Sequence, residues 1–96
     1  VRTVCMPAAI DAALGAQATR LAERVVTLLR GVGVFAVEMF VTSAGELLIN
    51  EISPRVHNSG HVTQDACSVS QFEQHVRAVM GMPLQQITQR SPAAMC

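Results

Sequence analysis

Ninety-six residues, half of them hydrophobic, are enough for one small domain with a core of its own. Seven basic residues balance seven acidic ones and no basic block stands out, which argues against nucleic acid or an anionic membrane as partner. No apolar run approaches the roughly 20 residues of a membrane span, and Cys5, Cys67 and Cys96, odd in number and without CxxC spacing, read as reduced thiols of a cytoplasmic protein.

Val1 to Met6 predicts a short strand closed by Pro7. Asp11 then supplies a cap, and Leu14, Ala18, Leu21, Ala22, Val25, Val26 and Leu29 recur at helical spacing, one apolar stripe along about four turns. Gly15 weakens the first turn, and Gly31 is expected to end the helix as its left-handed residue. This helix should lie across one face of the strands that come next in the chain.

Val34 to Val41 and Leu47 to Ile52 are β-branched, aromatic or long apolar residues, and the small polar run Thr42-Ser43-Ala44-Gly45-Glu46 separates them, a hairpin signal. With the loop symmetric about Ala44-Gly45, Glu38 lies opposite Glu51. The period of two then puts Ala36, Glu38, Phe40 and Thr42 on one side with Leu47, Ile49, Glu51 and Ser53. Like charges so opposed repel and are costly to desolvate, which calls for a shared proton or a hard divalent cation such as Mg2+ between them. A loop one residue different in length would break that register.

Pro54 ends the ladder. Arg55 brings a five-donor fork suited to carboxylate or phosphate, and His57, Asn58, Ser59 and His61 surround Gly60 in a loop after an apolar strand, a usual place for binding residues. Zinc is a poor fit to His57 and His61, since no cysteine or third histidine stands at the spacing of a zinc site. Val62 to Val69 shows no clear period, and its Thr63, Gln64, Asp65 and Ser68 offer hydrogen bonds near the expected site. Ser70 to Glu73 makes a capping box for a second helix, with Phe72, Val76, Val79 and Met80 as its buried stripe, His75 and Arg77 at the surface, and Gly81 with Pro83 as its stop. Residues 84–90 carry little signal.

Paired acids, an arginine four residues on and a His/Asn/Ser loop suit nucleotide-dependent phosphoryl chemistry, although the glycines form neither a Walker A loop nor a dinucleotide fingerprint. The same two acids could serve a retaining glycosidase, but the chain has no tryptophan or tyrosine to form a sugar platform. A non-catalytic α+β interaction domain accounts for the helices and leaves the dense run from Asn50 to His61 unexplained. A hairpin apolar on both faces needs a layer on each side, so the expectation is a piece of a larger domain, or a half completed by a second copy.

Val34-Phe35-Ala36-Val37-Glu38-Met39-Phe40, the run from Gly45 through Asn50-Glu51-Ile52-Ser53-Pro54-Arg55 to His57-Asn58-Ser59-Gly60-His61, Asp65-Ala66-Cys67 and Ser70-Gln71-Phe72-Glu73 resemble the ATP-grasp carboxylases of purine biosynthesis, the 5-(carboxyamino)imidazole ribonucleotide synthases. The Asn-Glu-Ile-x-Pro-Arg core is common to many ATP-grasp enzymes, while the His-Asn-Ser-Gly-His extension and the Ser-Gln-Phe-Glu segment are far more specific to these carboxylases. The resemblance implies an α+β ATP-grasp fragment, an antiparallel sheet whose central hairpin packs against two helices. Residues 1–84 would form the carboxy-terminal part of the ATP-grasp domain and 85–96 the start of a small terminal domain.

The resemblance further implies a ligase that uses ATP and Mg2+ to carboxylate 5-aminoimidazole ribonucleotide with bicarbonate through carboxyphosphate, in a longer cytoplasmic enzyme expected to be a homodimer. By similarity Glu38 and Glu51 would hold the metal; Glu38, Asn50, Glu51 and Arg55 would meet the nucleotide and its metal. Arg55, His57, Asn58, Ser59 and His61 would meet the substrates, with Arg55 and His57 in catalytic roles. Ser53 stands where many ATP-grasp enzymes have a metal-binding asparagine and the carboxylases commonly have alanine; Val56 replaces a usual proline. A formate-using glycinamide ribonucleotide transformylase shares the acids and the Pro-Arg core, but typically has Asp-Thr-Gly at Asn58-Ser59-Gly60. The chain by itself is expected to be inactive.

Overall fold

The computed structural model describes residues 3–96. In chain order the elements are β1 (Val4–Met6), α1 (Ala12–Leu29), β2 (Ala36–Val41), β3 (Leu47–Ser53), a 3-10 turn (Asn58–Gly60), α2 (Thr63–Ala66), α3 (Gln71–Val79) and β4 (Ala93–Met95). The class is α+β, and its sheet pairing is antiparallel throughout: β2 with β3 as the central hairpin, and β1 with β4, which the sequence leaves unannounced. Val1 and Arg2, part of the predicted first strand, lie outside the described residues.

Asp11 caps α1 as its chemistry demands, its carboxylate accepting from Leu14 N–H at 2.7 Å. The left-handed residue at the other end is Arg30 (φ 52°), not Gly31. Gly31 serves a different need: a Cβ there would sit 1.9 Å from the Phe35 ring, so the missing side chain lets that ring approach the backbone. The predicted stripe from Leu14 to Val26 is half-buried, while Leu29 is exposed and no residue of α1 is fully buried. Between α1 and the start of β2 runs an open groove of about 500 Å³, lined by Ala22, Val26, Val34, Phe35 and Val37 among others.

The buried hydrophobic residues lie in the stretch that shows no period. Val62, Ala66, Cys67 and Val69 form the core, with Ala66 only 1% exposed. Their spacing follows neither 3.6 nor 2 because a short helix, an extended link and the α3 cap follow one another within it. Ser70 caps α3 by accepting from Glu73 N–H at 3.1 Å, but the Glu73 carboxylate does not reach back; it takes Arg77 Nε at 3.4 Å, one turn along.

The buried face of α3 is polar. Gln71 and Gln74 point inward, whereas the expected stripe turns outward at Val76, Val79 and Met80, the last 70% exposed, and Phe72 is half-buried. Each glutamine presents its carboxamide to one residue's own N–H and C=O, as a neighbouring strand would: Gln71 grips His57 at 2.9 and 2.7 Å, and Gln74 grips Gln85 at 3.0 and 2.8 Å. Loop backbone held away from water needs such partners, and they leave no inward room for an apolar stripe. His75 is likewise not a surface residue, since its Nδ1 accepts from Val34 N–H at 3.0 Å, and half-buried Arg77 extends Nη1 to Pro83 O at 3.3 Å.

Residues 84–90, silent in the sequence, form a strap tied to the core. Ser68 N–H donates to Thr88 O at 2.8 Å, Arg90 N–H to Ala66 O at 2.7 Å, and Cys67 bridges Gln89. Beyond the strap β4 returns beside β1, with Val4 opposite Met95 and Met6 opposite Ala93.

Candidate active site

The hairpin places the two acids by a route the symmetric loop did not foresee. Its tip is Ser43-Ala44-Gly45, closed by Thr42 N–H to Glu46 O at 2.9 Å, with Gly45 left-handed (φ 82°). From that tip the pairs run Val41 with Leu47, Phe40 with Leu48 and Met39 with Ile49, so Leu48, not Ile49, faces Phe40. The register then shifts at Asn50, and Glu38 stands opposite Glu51, Val37 opposite Ile52 and Ala36 opposite Ser53. A β-bulge has absorbed the residue by which the loop departs from symmetry.

Asn50 is the extra residue. A period-two strand would have aimed it away from Glu38; the bulge brings its Nδ2 to Glu38 Oε2 at 3.2 Å. Glu38 Oε1 lies 3.3 Å from His57 Nε2. The His57 tautomer is set by its neighbours: Ser59 N–H can only donate, and it meets Nδ1 at 3.3 Å while Ser59 Oγ lies 2.8 Å from the same nitrogen. Nδ1 therefore accepts, and the ring proton sits on Nε2, pointing at Glu38.

Glu38, Asn50, His57, Asn58 and Ser59 line a cleft of about 570 Å³ together with Val4, Val37, Met39 and Phe40. Of the remaining expected residues, Glu51 is exposed beside this cluster, its Oε1 accepting from Ser53 Oγ at 3.3 Å. Arg55 is exposed and turns Nη1 onto Val56 O at 2.9 Å. His61 is half-buried behind the loop, its ring 5.3 Å from that of Phe72.

Two glutamates paired across the hairpin, one of them hydrogen-bonded to the Asn50 carboxamide, offer hard oxygen donors. They suit Mg2+, which binds through one or two carboxylates and completes its shell with water and phosphate oxygens. Among the described residues no group of three His, Cys, Asp or Glu side chains is placed to hold a metal ion.

The ATP-grasp domain family matches residues 1–72, three-quarters of the sequence. The chain belongs to the ATP-grasp family. Among curated ATP-grasp relatives, the N5-carboxyaminoimidazole ribonucleotide synthase of Bacillus subtilis is 53% identical over 79 residues, 82% of this chain and 21% of that protein. The protein of the same name from Escherichia coli is 51% identical over 80 residues, 83% of this chain and 22% of its own length.

Solved structures agree. The N5-carboxyaminoimidazole ribonucleotide synthetase of Thermotoga maritima superposes with a TM-score of 0.94 at 51% identity, over 96% of this chain and 26% of that one. The N5-carboxyaminoimidazole synthase of Aspergillus clavatus, in complex with ADP and 5-aminoimidazole ribonucleotide, gives 0.91 at 36% identity over 97% of this chain and 26% of that one. The chain thus spans between a fifth and just over a quarter of the length of these relatives.

The ATP-grasp chain also holds a brace that residue-level reading missed, Gln71, joined to Thr63, which the sequence marked only for its hydrogen-bonding capacity near the site. Gln71 braces the loop from inside, and Thr63 Oγ1 donates to Gly60 O at 2.6 Å while accepting from Gln71 N–H at 2.9 Å. Neither residue is charged or sits in a recognisable spacing. The one available signal was the low hydrophobicity of the helical face carrying Gln71 and Gln74.

Proposed function

We propose that this chain supplies the metal- and substrate-facing part of a longer enzyme that carboxylates 5-aminoimidazole ribonucleotide at the expense of ATP. The γ-phosphoryl group passes from ATP to bicarbonate, giving ADP and carboxyphosphate. The amine of the ribonucleotide then takes the carboxyl group, with loss of phosphate and a proton. The observation that carries this reading is the pairing of Glu38 with Glu51 at a bulge that adds Asn50, beside a cleft lined by His57, Asn58 and Ser59.

Glu38 and Glu51 would hold Mg2+, which, when bound, neutralises and aligns phosphate oxygens. Asn50 keeps the Glu38 carboxylate oriented and lies with Glu38, Glu51 and Arg55 on the nucleotide side. Through its Nε2 proton, 3.3 Å from Glu38 Oε1, His57 keeps that carboxylate aimed. Arg55, whose fork is engaged among the described residues only by the neighbouring carbonyl at 2.9 Å, is free to swing onto the phosphate or carboxyphosphate. His57, Asn58, Ser59 and His61 offer donors and acceptors to carboxyphosphate and the aminoimidazole ribonucleotide. We place residues 1–84 in the ATP-grasp domain and 85–96 in the start of the next, and propose a cytoplasmic homodimer for the full-length enzyme.

The test is ADP release by the full-length protein with 5-aminoimidazole ribonucleotide and bicarbonate, set against glycinamide ribonucleotide and formate. Bicarbonate-dependent release is expected, and its loss in Glu51→Gln with the fold intact. Formate-dependent release would replace the carboxylase reading with the transformylase, and no release with either acceptor would leave a non-catalytic domain.

A further inference from the structure

Gln71 carries no charge and sits at the first turn of α3, yet it is buried and its single carboxamide meets three groups of the site loop. Two of them settle which end is which. The His57 N–H can only donate, so the atom 2.9 Å from it is Oε1; the His57 C=O can only accept, so the atom 2.7 Å from it is Nε2. The second Nε2 proton is then directed at His61 Nδ1, 2.9 Å away. That nitrogen must accept, and His61 therefore carries its ring proton on Nε2. Among the described residues, no side chain or carbonyl of the protein takes that proton.

The neighbourhood keeps this arrangement single-valued. Phe72 packs on the His61 ring at 5.3 Å with a 35° tilt, which limits ring rotation. Gly60 passes so close that a Cβ would stand 2.5 Å from Gln71 Oε1. Thr63 ties Gly60 O to the Gln71 backbone N–H. A carboxamide buried here with the wrong end inward would leave a donor facing a donor, at a cost of about 1–3 kcal/mol for each unmet group.

We infer that Gln71 is a positioning residue for the His57–His61 loop: it sets the path of the His57 backbone and fixes His61 in the Nε2–H tautomer, a neutral donor for a carboxylate or phosphate oxygen of the substrate. The substrate half of this statement rests on the proposed function, and the tautomer half does not.

The experiment uses the full-length protein labelled with 15N in its histidine rings, His61 being assigned by its loss in His61→Asn. Wild type should show Nδ1 unprotonated and Nε2 protonated. In Gln71→Glu the carboxylate offers no proton and His61 Nδ1 should become protonated; in Gln71→Leu the ring should relax from a single tautomer to the mixture of an unconstrained imidazole. Val69→Ala, a core change outside the site, serves as the control for general loosening and should leave the tautomer alone. The KM for 5-aminoimidazole ribonucleotide should rise by about tenfold in Gln71→Leu, with the KM for ATP nearly unchanged. A wild-type ring protonated on Nδ1, or one tautomer in all three proteins, would overturn the inference. A tautomer that follows residue 71 while every KM stays constant would uphold the assignment and refute the substrate role.

Discussion

Gly60→Ala is the most discriminating single change at this site, because what it meets is a pinned side chain and not backbone. The new Cβ would lie 2.5 Å from Gln71 Oε1 and 2.8 Å from Cδ, whereas ordinary contact begins at 3.4 Å, so the carboxamide must withdraw by about 0.9 Å. Its three bonds, now 2.7 to 2.9 Å long, cannot survive that movement. At about 1 kcal/mol net for each, the loss is about 3 kcal/mol. Gly60 does not have a positive φ, so alanine returns about 0.5 kcal/mol by restricting the unfolded chain, and the expected net cost is about 2–3 kcal/mol. In a Gln71→Ala background the obstructing group is gone, and the same change at 60 should cost nothing or stabilise slightly. Denaturant unfolding of the four proteins in this cycle, each full length, measures the coupling. Equal costs of Gly60→Ala in both backgrounds, within about 0.5 kcal/mol, would refute the carboxamide clamp.

Other expectations rest on single features. Arg30→Gly should stabilise the protein by about 0.5–1 kcal/mol, since it relieves a left-handed residue that bears a side chain, whereas Gly31→Ala should cost about 1–3 kcal/mol by driving a methyl into the Phe35 ring; thermal melts of the two variants read these opposite signs. In full-length protein Asn50→Ala should weaken Mg2+-dependent turnover by about tenfold or more while leaving stability within about 0.5 kcal/mol, because its one side-chain bond is exposed and serves Glu38; unchanged turnover over a Mg2+ titration would count against that role. The isolated 96-residue chain should self-associate or melt with little cooperativity. A folded monomer of 10.2 kDa exposes about 5,300 Å², and this chain exposes 6858 Å², with Phe40, Leu48, Val76, Val79 and Met80 among the uncovered apolar residues. Sedimentation showing a monomer that unfolds in one sharp transition would contradict it.

The sequence disclosed the elements whose cause is local. Asp11 and Ser70 accept amide protons where they were expected to, the hairpin forms between its two apolar runs, and Gly81 with a positive φ ends α3. The opposition of Glu38 and Glu51 was also anticipated, although two departures of one residue, a shorter tip and a bulge, had to cancel for it to hold. What escaped depended on distant partners. Gln71 and Gln74 face inward because loop backbone 14 and 11 residues away needs their carboxamides. The Val62–Val69 core lacks a period because no single element spans it. Likewise, β4 is too short to register and exists because β1 offers it an edge.

The shift at Asn50 divides the hairpin into two lengths with separate obligations. Toward the tip, Phe40, Val41, Leu48 and Ile49 keep one alignment; toward the base, Ala36 to Glu38 and Glu51 to Ser53 keep another. A residue gained at the far end could thus be traded against the one already spare at position 50, straightening the strand without moving the acids. The acidic pair is in that sense insulated from the turn that joins its strands, and turn length can drift over generations as long as the spare residue drifts with it.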